Sequence, residues 1–231
     1  MFRLGKIVLV VLVVLVGAGF AGWYFFLKTD PSPRAKIKET PTVTLAKGSE
    51  ASALDGTWMV SPGNADDFVG YRVTEKLFAN ITQSTATGRT NNVTGAMSIK
   101  GATISAITVT ADLRDLSSDS GGRDGAIRIE GLESNKFPEA KFVSTAPIQL
   151  NSIPPVGTTI STQATGNFTL HGVTKQVTIT LQGRFDGAKL QVVGNLPILF
   201  GDYGMTAPSS PVVASVDDHG EMELQLFFTK G

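Results

Sequence analysis

The stretch Val173-Thr174-Lys175-Gln176-Val177-Thr178-Ile179-Thr180-Leu181-Gln182-Gly183-Arg184-Phe185 decides the fold class. Val177, Ile179, Leu181 and Phe185 share one face, and Thr178, Thr180, Gln182 and Arg184 share the other, a sorting that only an extended strand produces. The same test passes for Ile107, Val109, Ala111 and Leu113 against Thr108, Thr110, Asp112 and Arg114. It passes again for Met222, Leu224, Leu226 and Phe228 against Glu221, Glu223 and Gln225. Weaker strands are legible around 58–62, 68–77, 87–99, 140–150, 158–170 and 190–199. Turn chemistry separates them at Pro62-Gly63-Asn64, at 151–157 and at Asp186-Gly187, the last suited to a two-residue hairpin. Eight or nine antiparallel strands, each with one apolar face, require a sandwich or a closed barrel, and closure also removes exposed edges.

One stretch departs from the alternation. Residues 116–122 read as a polar loop, and 123–131 as a short helix carrying Ile127 and Ile129, with Leu132 just beyond. In a barrel such a segment is either a lid over one end or a crossover spanning the floor.

The 231 residues allow one domain with appendages. With 42% hydrophobic and 17% charged residues the chain is too apolar for disorder. The absence of Cys excludes disulfides, thiolate catalysis and Cys-based metal sites. Residues 1–38 hold six basic residues against Asp30 alone, so 14 basic and 19 acidic residues remain in 39–231. That acidic balance argues against nucleic acid as a partner.

The run 7–27 carries no charge, long enough as a helix to span a bilayer core, with Trp23 and Tyr24 near its end and Lys28 closing it. It reads as a retained transmembrane helix behind a short segment 1–6. A cleaved signal peptide is the rival reading, with Arg3 and Lys6 as its basic region and Gly19-Phe20-Ala21 as its cleavage site, but the bulky Trp23-Tyr24-Phe25-Phe26 extends it too far. Basic residues are more numerous after the run than before it, which taken alone orients the following domain inward. The glycines at 17, 19 and 22 fit a dinucleotide fingerprint, yet Pro31 and Pro33 prevent the helix that motif needs. Residues 28–53 read as an extended linker, and 54–231 as the β domain.

Catalytic constellations are sparse. His171 and His219 are the two histidines: His171 sits at a strand-to-strand corner, and Asp217-Asp218-His219 has the composition of a solvated turn. Asp112, Asp115, Asp119 and Asp124 lack the Gly and terminal Glu of a calcium loop. No cofactor, metal or catalytic residue is expected.

Several pieces in order resemble the YceI-like family: Gly56-Thr57-Trp58; Phe68-Val69-Gly70-Tyr71-Arg72-Val73; Arg123-Asp124 with Arg128 before Phe137-Pro138-Glu139-Ala140-Lys141-Phe142; the run from Gly166 to Lys175; and Phe200-Gly201-Asp202-Tyr203-Gly204-Met205. The chain departs from the pattern at Ala126, where many members carry a histidine, and at Leu132, where they carry paired aromatics. The resemblance implies an all-β, eight-stranded antiparallel lipocalin-like barrel that binds a polyisoprenoid or related long-chain amphiphile, such as an isoprenoid lipid or quinone, without catalysis. It also implies an extracytoplasmic domain in the cell envelope and allows a homodimer. The residues expected around the ligand are Phe68, Phe78, Ile127, Leu132, Phe137 and Phe142, then Phe168, Phe185, Phe200, Tyr203 and Met205, with Arg123 and Arg128 at the mouth. The competing expectations are a ligand-free structural or adhesive module and an enzyme acting on such a lipid.

Overall fold

A computed structural model describes residues 31–46, 48–61, 63–77, 80–208 and 213–231. The run 7–27 and Phe78 lie outside them. Among the described residues no helix is long and apolar enough to cross a membrane.

The strands are β1 (Gly56–Val60), β2 (Phe68–Leu77), β3 (Asn80–Thr90), β4 (Val93–Lys100), β5 (Thr103–Asp112), β6 (Ser117–Ser118), β7 (Glu139–Ser144), β8 (Ile148–Gln149), β9 (Thr159–Leu170), β10 (Val173–Phe185), β11 (Lys189–Leu199) and β12 (Val213–Lys230). Hydrogen bonding runs β1-β4-β5-β7-β9-β10-β11-β12 and returns to β1. The ring closes where Trp58 pairs with Lys230 and Val60 with Phe228. Of the two architectures open to the sequence, the molecule is therefore the closed eight-strand antiparallel barrel. Strand β12 runs on past β1 to pair with β2, β2 pairs with β3, and β3 with β6. So β1 and β2 follow each other along one strand position, as do β3 with β4 and β5 with β6.

The expected strand 87–99 is thus two strands, broken at Asn91-Asn92 and extended back to Asn80. The segment NITQSTATGRT has no continuous apolar face, and it is β because β2 supplies its partners rather than because of its own pattern. The β9–β10 hairpin turns on His171-Gly172, both at positive φ (51° and 74°), the geometry of a type I′ turn.

Helix α1 (Glu50–Leu54) precedes the barrel. Helix α2 (Gly121–Ala126) begins at Ser120, whose hydroxyl accepts from the Arg123 N–H, and continues into a single π turn at Ile127–Gly131. The helix expected at 123–131 is present and starts two residues earlier.

Residues 31–46, placed in the linker by the sequence, lie along the outer wall as a strap. Its backbone is satisfied by side chains: Ala35 N–H donates to Glu223 (3.2 Å), Lys36 N–H to Gln225 (3.3 Å) and Lys38 N–H to Gln191 (2.8 Å). Arg72 donates to the Ser32 carbonyl (2.7 Å) and Arg89 to that of Pro33. Glu223 and Gln225, on the polar face of their strand, are buried beneath the strap. Glu223 there meets Arg89 at 2.9 Å and Arg72 at 3.3 Å.

Candidate functional site

The inward faces of the strands enclose an apolar cavity of about 140 Å³. Its walls come from nearly every strand of the ring: Met97 and Ile99 of β4, Ile107 and Val109 of β5, Ala164 of β9, Ile179 and Leu181 of β10, Leu196 of β11, Leu224 and Leu226 of β12. The small residues make the space. An added Cβ at Gly194 would stand 2.5 Å from a Leu181 methyl, so the glycine lets that leucine lie flat across the wall. At one end the lining reaches Leu54 of α1, Leu150, Pro154 and Thr158.

Of the residues expected around a ligand, Phe142, Phe168 and Phe185 line the cavity. Phe185 packs edge-on against Trp58 (5.7 Å), and Phe168 against Tyr203 (5.8 Å). Tyr203 and Met205 are buried in the core, and Ile127, Leu132 and Phe200 pack partly buried against it, but none of the five reaches the cavity. Phe137 lies against the His171 ring (4.3 Å). Phe68 is on the opposite side of β2 from the cavity-lining Val69, with the Arg89 guanidinium 3.7 Å over its ring. What the sequence reading omitted is the aliphatic lining. Its signal, the inward member of each alternating pair, was present but shared with ordinary core.

Arg123 is not among the residues that line the cavity. It pairs with Glu75 at 2.8 Å and with Asp119, and Glu75 is only 4% exposed. Burial opposes the guanidinium charge, but the two carboxylates outweigh it and raise its pKa above the ordinary value. With two carboxylates already on it, Arg123 has little attraction left for a phosphate. Near this cluster the Tyr71 hydroxyl is buried without a partner among the described residues, and burial pushes its pKa above the usual phenol range. Arg128 lies half-buried on the π turn.

His171 is a clamp. Its Nδ1 is 3.0 Å from the Tyr203 carbonyl and its Nε2 is 2.7 Å from the Glu133 carboxylate. The ring thus ties the hairpin turn to the segments after β11 and after the π turn, closing that end of the barrel. Although the residue sits in the hairpin corner, both ring nitrogens reach other segments of the chain. Among the described residues no cluster of His, Asp and Glu is arranged to hold a metal ion.

Comparison with known proteins agrees with this geometry. A UPF0312 protein of Shewanella sp. (strain MR-7) is 32% identical over 184 residues, covering 72% of this chain and 92% of the relative. A polyisoprenoid binding domain from Saccharophagus degradans, implicated in plant cell wall breakdown, superposes with a TM-score of 0.57 at 15% identity over 75% of this chain and 98% of that one. BcnA of Burkholderia cenocepacia gives 0.54 at 20% identity, covering 71% and 96%. The YceI-like domain model matches residues 58–228, which include part or all of every strand of the ring, and the chain belongs to the YceI-like family.

Proposed function

We propose that this protein binds a long-chain isoprenoid lipid or quinone in the barrel and carries or sequesters it, as a binding protein rather than an enzyme, with the barrel held at the extracytoplasmic face of the membrane by the run 7–27. The observation that carries the reading is an interior lined almost wholly by aliphatic and aromatic side chains, in a fold shared with a polyisoprenoid binding domain. Burying each methylene there is worth about 0.8 kcal/mol. At about 140 Å³ the cavity matches one known to take a benzene-sized group and falls short of the several hundred Å³ of ordinary ligand pockets, so a longer chain has to spread the walls. That smallness favours the second reading, a ligand-free structural module.

Ala164 separates the two. It is 1% exposed and faces the cavity. Ala164→Phe fills the space at a cost of about 1–3 kcal/mol in overpacking. Binding of a dansyl-farnesyl probe to the full chain in detergent is expected to weaken at least tenfold, with the far-ultraviolet dichroism of the barrel retained. Unchanged affinity would place the probe elsewhere and leave the structural module.

The strap bears on the tether. With Ser32 bonded to Thr87 and Arg72 on the barrel wall, only residues 28–31 separate the apolar run from the barrel, at most ~18 Å of chain. In this reading the wall of β2 and β3 rests close to the headgroups. Family membership supports the outward orientation and the basic residues after the run oppose it. Because the chain has no Cys, a single Gln176→Cys on the exposed face of β10 reports the side. A membrane-impermeant maleimide is expected to label it in intact cells, and labelling only after lysis would put the barrel inside.

A further inference from the structure

The two ends of the barrel are closed by different means. At the hairpin end, Leu170, Tyr203 and Met205 are buried and His171 locks the segments around them. At the opposite end, where the cavity reaches Leu54, Leu150, Pro154 and Thr158, closure is by a five-residue helix, a loop and the strap. A helix of that length does not hold itself. It is held by the Lys230 ammonium, which donates to the carbonyls of Ser52 and Ala53 (3.1 Å each), and by the Trp58 indole N–H, which donates to Leu54 (2.7 Å).

The loop and the strap share one fastener. Arg184, 8% exposed, donates from Nε to the Gly157 carbonyl (3.0 Å), from Nη1 to the Thr40 hydroxyl (2.8 Å) and from Nη2 to the Thr40 carbonyl (2.9 Å). All three acceptors are neutral. Val43 N–H bonds the Asp186 carbonyl (2.6 Å) just beyond. When the strap leaves, water can satisfy the guanidinium, so the fastening is reversible without breaking a buried ion pair.

We propose that α1 and loop 150–158 are a lid over the cavity and that Arg184 latches this lid to the strap. The inference rests on the reading of the cavity as the ligand site and adds its regulation. A chain enters at the lid end, and because the strap continues toward the membrane run, the position of the lid is coupled to the tether.

Thr42 and Gly157 supply the test. A Cβ at Gly157 would lie 4.0 Å from the Thr42 Cβ, within the ~3.5–4.5 Å a disulfide needs. Gly157 has a φ of +81°, so a cysteine there is strained, but equally so in the reduced and oxidised protein, and each form controls for the other. In full-length Thr42→Cys/Gly157→Cys, oxidation is expected to slow uptake of the dansyl-farnesyl probe at least tenfold, and dithiothreitol to restore it. Arg184→Met is expected to speed both uptake and release. Equal uptake by the oxidised and reduced forms would overturn the lid and leave the cavity reading intact. If the wild-type chain binds no probe, the cavity reading fails first and the lid with it.

Discussion

Asp67 shows how much a single buried group can reveal. It is 2% exposed at the break between β1 and β2, where Oδ1 accepts from the Phe227 N–H (2.7 Å) and from Asn64 (3.3 Å) while Oδ2 has no partner among the described residues. Burial pushes its carboxyl up to about 6. The folded chain therefore holds this proton more tightly than the unfolded chain, whose Asp titrates near ~3.9. Its contribution to stability is full below that value and is lost as pH rises through about 6. Asp67→Asn keeps the acceptor for Phe227 without the charge. It is expected to be more stable than wild type by about 2 kcal/mol at pH 7.5 and to lose the fall in stability between pH ~4 and ~6.5. Denaturant melts across that range check it, and a variant less stable at pH 7.5 would contradict the account. Its neighbours mark the limit of sequence reading at this scale. Phe68 and Val69 are both apolar, so alternation alone does not say which points inward, and it is Val69 that lines the cavity.

At the level of elements, the strands with clean alternation were legible because burial on one face is all that a period of two encodes. The strap was not, because it binds the barrel mostly through its backbone, and main-chain N–H and C=O groups leave no mark in the residue pattern. Its trace lay in the wall instead: Glu223, Gln225 and Gln191 are polar residues buried on an outer face. Helix α2 was legible from its residues, but the role the resemblance implied for Arg123 was not what its surroundings support. The Glu75–Arg123–Asp119 cluster braces α2 against β2. Arg123→Met leaves Glu75 buried without its partner and is expected to cost about 3–5 kcal/mol, whereas Arg123→Met with Glu75→Gln recovers most of that loss. Thermal melts of both proteins decide it, and a double variant no more stable than the single one would contradict the brace.

For the whole molecule, closure of the ring was open from periodicity, which suits a sandwich equally well, and became definite through the pairing of β1 with β12. Cavity size was illegible for a related reason. The same inward residues can fill a core or surround a space, and the difference lies in how Gly194 and Ala164 let larger neighbours settle. The central claim, that the interior shelters an oily chain, is tested most directly by native mass spectrometry of the full-length protein, purified in mild detergent from the cells that make it. The expected spectrum shows a one-to-one adduct that organic extraction releases as an isoprenoid lipid or quinone, and that is missing from Ala164→Phe. A wild-type spectrum at the bare polypeptide mass, or an adduct equally present in Ala164→Phe, would contradict it.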